Sequence, residues 1–515
     1  MKSLFNKIMR TYLAGKYKRL REIDMHPHET QAYWLRHLLT RAQDTEFGKT
    51  HGFEEIDDQR DYAKRIPIQN YETLKSQIRR MMYGEEDVLW PGRVYWFAKS
   101  SGTTSDRSKF IPVSSENMQG CHAKSTWDAL ALLYAMLPDA SIFHRKNLIM
   151  GGSLAPFEEF PETTYGDVSA IMLQHLPIFG RPFLTPDFET ALLDKWEEKI
   201  ERMARLCSRE DVGMFGGVPT WTIVLFKRIL ELTGKDNMLQ VWPNVQVYTH
   251  GGVGFRPYRQ TFHEFIPSST FVYQEVYNAS EGFFAAQDRI GAEDMLLLLD
   301  NGMYYEFIPQ GEWQSENPIA VPLRDVEAGM QYALVISTNS GLWRYTPGDT
   351  IEFTSTQPYR MRLTGRTQQF INAFGEEVMI DNVERAISMA CRMHHARIED
   401  YTVAPVYLDA SQRGAHEWII EFAQAPLDLE VFRKDLDTSL QELNSDYAAK
   451  RASDLALEML HVIVAPKGTF TNWMAYRGKL GGQNKVPRLS NDRRYLDELL
   501  HLVSESPSVR GLLAE

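Results

Sequence analysis

Between Phe97 and Val113 the chain reads Phe-Ala-Lys-Ser-Ser-Gly-Thr-Thr-Ser-Asp-Arg-Ser-Lys-Phe-Ile-Pro-Val. Hydroxyls, a glycine and a lysine sit in a loop between apolar segments. Such a loop can wrap a polyphosphate. The hydroxyls of Ser100, Ser101, Thr103 and Thr104 and the backbone N–H groups around Gly102 donate hydrogen bonds, and Lys109 supplies positive charge. The G-x-x-x-x-G-K-[ST] pattern is absent, so this is not a Walker loop. A second segment, Tyr273 to Gly282, ends in Tyr-Asn-Ala-Ser-Glu-Gly. Tyr277 offers a ring that can stack on a purine and Ser280 a hydroxyl for phosphate. Glu281 offers a carboxylate for Mg²⁺, a hard ion that prefers carboxylate and phosphate oxygens. A third, Leu342 to Asp349, places Asp349 in a turn after a strand, where a carboxylate can accept both hydroxyls of a ribose, with Arg344 and Tyr345 flanking it. Further on, Arg366 precedes a strand and a glycine turn, and Lys485 sits on a Gly- and Pro-flanked loop suited to a mobile cation. Each segment in isolation also fits an ordinary solvated turn. Their order and spacing along one chain carry the argument.

These residues need elements to hold them. The first 90 residues read as helices with polar connections, and from about Val94 short apolar runs alternate with helical stretches. Leu148 to Met150, Val212 to Phe215, Val245 to Thr249, Phe271 to Tyr277, Tyr304 to Ile308 and Tyr332 to Thr338 read as strands, several of them ending in glycine pairs. Leu193 to Cys207 and the stretch opened by Pro219 read as helices. This alternation predicts an α/β class. After Gly365-Arg366 the pattern simplifies to a small α+β unit: helices over 382–392, 427–443 and 491–504, strands over 401–408, 418–422 and 460–465. The expected organisation is a large N-terminal domain over 1–367 and a small, mobile C-terminal domain over 368–515.

Composition narrows the function classes. A chain of 515 residues with a net charge of −12 lacks the basic footprint that nucleic-acid binding requires. No apolar run approaches the roughly 18 residues of a membrane span, since Ala129 to Leu137 and Met295 to Leu299 are short and bounded by proline or charge. The three cysteines, Cys121, Cys207 and Cys391, are far apart and form no C-x-x-C, which points to a reducing, cytoplasmic setting. Residues 1–21 carry seven basic side chains and no acid, with Leu4, Phe5, Ile8, Met9 and Tyr12 at helical spacing. We read them as a docked helix with a solvated basic face rather than a transit peptide. The sequence leaves the oligomeric state open.

Taken together, the segments resemble the signature set of the adenylate-forming superfamily of acyl-CoA synthetases, adenylation domains and luciferases. Ser101-Gly-Thr-Thr is similar to its phosphate loop, Tyr277 to Glu281 and Arg344 to Asp349 to its nucleotide-binding segments, Gly365-Arg366 to its hinge, and Lys485-Val-Pro-Arg to its C-terminal lysine motif. Ser100-Ser-Gly-Thr-Thr, Gly217-Val-Pro-Thr-Trp, Asn278-Ala-Ser-Glu-Gly and Asn372-Ala-Phe-Gly-Glu-Glu resemble one branch. That branch is the Gretchen Hagen 3, or auxin-responsive, acyl acid amido synthetases with their bacterial-type members. The resemblance runs from about residue 30 to 490. Two departures stand out: Ser105-Asp-Arg replaces the usual second glycine and proline of the phosphate loop, and Thr367-Gln-Gln stands at the hinge.

The resemblance implies ATP and Mg²⁺ as cofactors and a carboxylic acid and an amine, typically an amino acid, as small-molecule partners. It also implies a luciferase-like fold. An acyl-AMP forms first and the acyl group then passes to the amine. Lys109, Glu281 (through Mg²⁺) and Lys485 are the implied catalytic residues. Ser100, Ser101, Gly102, Thr103, Thr104, Gly251, Gly252, Tyr277, Ser280, Asp349 and Arg366 are the implied nucleotide-binding residues. Phe215, Val218, Trp221 and Thr222 are the implied acid pocket. An acyl- or aryl-CoA ligase shares the first step and stays open as an alternative, as does a catalytically silent binding protein on the same fold.

Overall fold

The computed structural model describes residues 2–101, 108–176, 178–253, 255, 258–313, 315–367, 369–408, 413–454, 456–477 and 487–505. The implied phosphate-loop residues Gly102, Thr103 and Thr104 and the implied catalytic Lys485 lie outside the described residues.

The N-terminal stretch is helical as its periodicity predicts. Helix Lys2–Met25 lays Met9, Leu13 and Leu20 against helix Lys124–Met136, while Leu4, Ile8 and Tyr12 stay exposed. Two polar ties fix it: Asn6 donates to Ala140 O at 3.2 Å, and Lys16 pairs with Asp128 at 3.4 Å. It is therefore a docked element.

Twelve strands among the described residues form one large sheet. Its first half is parallel: Leu184–Thr185, Lys146–Ile149, Val212–Gly216, Val247–His250 and Val272–Ala279. From Gly282–Ala286 onward neighbours run antiparallel, through Met295–Leu297, Tyr359–Arg366, Asp349–Thr356, Gln331–Thr338, Met303–Pro309 and Val321–Pro322. The parallel strands are continuous apolar runs because helices such as Trp196–Cys207 and Pro219–Thr233 accompany them. Parallel strands all end at one edge of the sheet, and open α/β sheets place ligands at that carboxyl edge. A separate four-stranded sheet includes the hairpin of Trp96–Ser101 and Ser108–Val113, in which Ser100 faces Lys109 in register.

The large sheet ends at Arg366. Beyond it lies an α+β unit in which Arg397–Val406 pairs antiparallel with Ala415–Gln424, itself parallel to His461–Ala465. Helices Ile380–Met393 and Leu429–Leu443 pack on each other, and Thr469–Tyr476 packs with Arg494–Glu505. Among the described residues no helix is long and apolar enough to cross a membrane. None of them forms a group of three or more His, Cys, Asp or Glu that could hold a metal ion. His394, beside His395, ends a helix and meets Asp435 at 2.7 Å instead.

Two local readings are corrected. Asp349 does not sit in a turn: it opens strand Asp349–Thr356, and Arg366 closes its partner Tyr359–Arg366. Arg344 does not flank Asp349. Its guanidinium is buried in a bidentate pair with Glu306, at 2.9 and 3.0 Å, and donates to the carbonyls of Ala63 and Ile66. An arginine has five N–H donors in a fixed fork, and here the guanidinium makes four hydrogen bonds to buried or partly buried oxygens.

Candidate active site

The junction between the parallel and antiparallel halves of the sheet gathers the chemistry. Strand Val272–Ala279 turns through Ser280 and Glu281 directly into Gly282–Ala286, a two-residue connection that holds Glu281 at the strand end. Register then places Asp349 opposite Arg366. Arg366 Nε meets Asp349 Oδ1 at 2.9 Å, and the Tyr277 hydroxyl donates to Asp349 Oδ2 at 2.5 Å. Arg366 also reaches Glu377 at 3.5 Å and lies over the Phe370 ring, 5.5 Å from its centre. Tyr277, Asp349, Arg366 and Glu377 thus form one connected network across the hinge. Burial and the neighbouring Asp349 push the Tyr277 phenol well above its usual range, so it remains a donor. Its ring packs on Phe284 and has little open surface, so this arrangement uses its hydroxyl rather than a stacking face.

Glu281 is buried, and burial raises its carboxyl pKa against the opposing pull of Lys109. Asp349 and Glu377 add further negative field there. A buried acid among acids, opposed by Lys109 and Arg366, is a site that gains from a further cation. Mg²⁺ keeps several waters and takes one or two protein carboxylates plus substrate phosphates, so the absence of a multi-ligand cluster among the described residues does not count against it. The residues present fit the ion.

The glycines after strand Val247–His250 have distinct reasons. A Cβ on Gly251 would lie 2.4 Å from the Val276 carbonyl oxygen, so the close approach of the next strand excludes any side chain. Gly252 has φ of +82°, in the left-handed region, and its carbonyl accepts from Asn372 Nδ2 at 2.8 Å. His250, just before them, is buried against Phe255 with ring centroids 4.0 Å apart. Burial, helped by Arg259, holds its pKa down at about 3, while the unfolded chain would protonate it near 6.5. His122, buried on the π-helical turn Met118–Ala123 with Asn278 alongside, is likewise held down by burial, at about 4. For such groups the unfolded state binds more protons between the two pKa values. The stability they contribute is complete above about pH 6.5 and is lost as pH falls toward 4. We expect the unfolding temperature to drop over that range, and to drop less steeply in His250→Phe, which keeps an aromatic partner for Phe255. Thermal unfolding of both proteins from neutral to acid pH checks this; equal slopes would refute it.

On the acid side, Trp221 stacks on Trp196 at 3.9 Å and is largely buried. Val218 stands between two glycines, 3.5 Å from a Cβ position on Gly252 and 3.8 Å from one on Gly375. Thr222 donates to Val218 O at 3.1 Å and so holds the first turn of the helix. Phe215 differs from the expectation. It has no accessible surface and stacks on Tyr248 at 4.5 Å among Phe226, Trp242 and Phe271, which makes it a core residue rather than an open pocket wall.

The post-hinge loop is pinned onto the large lobe. Thr220 donates to Phe374 O at 3.2 Å, Tyr258 donates to Ala373 O, and the buried Glu376 accepts from the amides of Ala373 and Phe374 and pairs with His416 at 2.9 Å. Helix Ser445–Arg451 follows it in: Ser445 Oγ lies 3.1 Å from Ser108 Oγ beside the phosphate-loop hairpin, and the Lys450 ammonium lies 5.3 Å from the centre of the Trp221 ring. Sequence reading missed this helix and the role of Glu377. Asn-Ser-Asp-Tyr reads as an ordinary helix start, and nothing in it signals a neighbour 337 residues away.

The GH3 family N-terminal domain matches residues 16–150 and 153–271, the GH3 family central domain 296–366 and the GH3 family C-terminal domain 381–494. The indole-3-acetic acid-amido synthetase GH3.3 of Arabidopsis thaliana is 23% identical, with 88% of each chain covered. GH3.8 of Oryza sativa subsp. indica is 22% identical over 92% of this chain and 90% of its own. Among solved structures, AtGH3.15 acyl acid amido synthetase in complex with 2,4-DB has a TM-score of 0.62 at 18% identity, covering 96% of both chains. A 2-hydroxyisobutyryl-CoA ligase in its thioesterification state has a TM-score of 0.52 at 13% identity, covering 95% of this chain and 92% of its own. These two likenesses concern the fold.

Proposed function

Because the chain belongs to the GH3 family, we propose that it is an acyl acid amido synthetase, which adenylates a carboxylic acid with ATP and joins the acyl group to an amino acid. The observation that carries this reading is the network at the sheet junction. Tyr277, Asp349 and Arg366 form a polar cradle for a nucleoside, and Glu281 and Lys109 supply paired charge beside it.

In the first half-reaction the acid carboxylate attacks the α-phosphorus of ATP and pyrophosphate leaves. Both reactants are anions, so the protein's work is positioning and charge neutralisation. Lys109, opposite Ser100 on the hairpin, supports the phosphates. Asp349, its carboxylate already oriented by Tyr277 and Arg366, accepts the ribose hydroxyls. Glu281 would hold Mg²⁺, which when bound neutralises phosphate charge. Trp221 and Val218 shape the apolar wall against which the acid lies. The small domain re-orients between the half-reactions: Lys485 serves the adenylation arrangement, and the seat of helix Ser445–Arg451 over Trp221 and Ser108 serves the transfer arrangement.

The acceptor separates this reading from a CoA ligase. Incubation with ATP and a panel of aryl, indolyl and fatty acids, in the presence of either mixed amino acids or CoA, is read by mass spectrometry. We expect AMP and an N-acyl amino acid. Acyl-CoA as the only product would overturn the amide assignment, and no AMP under any condition would overturn adenylation.

A further inference from the structure

Asp446 and Lys450 lie on one face of helix Ser445–Arg451, four residues apart, and both keep some solvent contact. Neither has an ion-pair partner within 4 Å among the described residues. Their setting is defined from several elements. Ser445 touches Ser108 of the phosphate-loop hairpin. Asn444 caps the helix, accepting from the Tyr447 amide at 2.8 Å, and donates to Glu377 O at 3.1 Å, which ties the helix to the hinge network. A Cβ on Gly375 would lie 3.3 Å from Lys450 Cε. Lys450 lies over the Trp221 ring, whose buried indole N–H has no hydrogen-bond partner among the described residues. The charged groups facing Asp446 are Glu377 from the hinge loop, Lys450 from its own helix, Asp167 after strand Phe160–Gly166, and Lys99 from strand Trp96–Ser101.

An acid and a base a helical turn apart, neither ion-paired among the described residues, beside an N–H donor with no partner among them, match a zwitterion. We propose that this helix forms the acceptor subsite: Asp446 receives the α-ammonium of the incoming amino acid and accepts its proton, and Lys450, with the Trp221 N–H, binds its α-carboxylate. The inference rests on the adenylation–transfer reading above and names the residues that read the second substrate.

The step balances. The ammonium gives one proton to the Asp446 carboxylate, and the freed nitrogen lone pair attacks the carbonyl carbon of the acyl-AMP. The C–N bond forms, the C–O bond to the phosphate breaks, and its electron pair leaves with AMP. The second nitrogen proton passes to water, giving a neutral amide. Burial, reinforced by Glu377, pushes the Asp446 carboxyl up to about 7, which suits a base that must load and release a proton near neutrality. As pH rises through that value the acid form gives way to the carboxylate, so transfer speeds up.

Asp446→Asn and Lys450→Met test the assignment in the full-length protein. Asp446→Asn is expected to lower amide formation about a hundredfold and to abolish its rise with pH. Hydroxamate formation with hydroxylamine, a neutral nucleophile without a carboxylate, is expected to persist. Lys450→Met is expected to raise KM for the amino acid roughly tenfold while leaving KM for the corresponding amino acid amide in place. Acid-dependent ATP–pyrophosphate exchange separates the levels. Exchange and hydroxamate lost together in Asp446→Asn, or amide formation retained in it, overturns the acceptor subsite. Absence of exchange in the parent protein overturns adenylation itself.

Discussion

Acid-dependent ATP–pyrophosphate exchange is expected to fall about a thousandfold in Lys109→Ala and in Glu281→Ala, the upper range for loss of one preorganised charge-stabilising group. The proposed reaction brings a carboxylate to a polyphosphate, so its barrier is dominated by bringing like charges together; on that reading Lys109 would compensate directly and Glu281 through the Mg²⁺ it would hold. Lys109 is fixed by strand pairing rather than by a flexible loop, with Ser100 opposite it in register. Glu281 is fixed by the two-residue turn and by burial. Its raised pKa, caused first by burial, means that the site favours a proton or a cation on it. Glu281→Gln keeps the shape and removes the charge. If charge is what matters, it should fail as Glu281→Ala does, and added Mg²⁺ should rescue neither. Exchange within a few-fold of the parent in either alanine variant would sink the assignment.

The second large effect is on stability. Arg344→Met is expected to cost about 3–5 kcal/mol, because it leaves the Glu306 carboxylate buried without its counter-charge. The pair is almost sealed, with side-chain exposures of 6% and 4%. Burial already raises the Glu306 pKa, and Arg344 holds it down. Arg344 also binds two carbonyls at the end of helix Gln59–Arg65, so its loss unpins the N-terminal helices from the sheet. The urea unfolding midpoint reads the effect. Replacing both partners, Arg344→Met with Glu306→Leu, should recover much of the loss, since two apolar groups leave no orphaned charge. The KM for ATP in Arg344→Met is expected to stay near the parent value. A large rise in KM with unchanged stability would return Arg344 to the nucleotide site.

Much of the site was legible because local sequence chemistry is specific at glycine turns and hydroxyl-rich loops. Tyr277, Glu281, Asp349 and Arg366 were each marked by the residues next to them. The hairpin joining Asp349 to Arg366 was not, because its strands, Asp-Thr-Ile-Glu-Phe and Tyr-Arg-Met-Arg-Leu, alternate apolar with charged residues that also suit a solvated loop. Phe215 was misplaced for a related reason: an apolar residue at a strand end has the same local signature whether it lines a pocket or stacks on Tyr248.

The sequence by itself determined the α/β class, which resides in the alternation of short apolar runs with helical stretches, and through a resemblance carried by several short motifs it pointed to the family. Only the tertiary structure decided which charges meet. It brought Arg366 to Asp349 across a hairpin, sent Arg344 to Glu306 instead, and set helix Ser445–Arg451 over Trp221 and Ser108. Those pairings depend on register and on the packing of one lobe against the other. Their partners lie from 17 to 337 residues apart, and no local pattern encodes contacts at that separation.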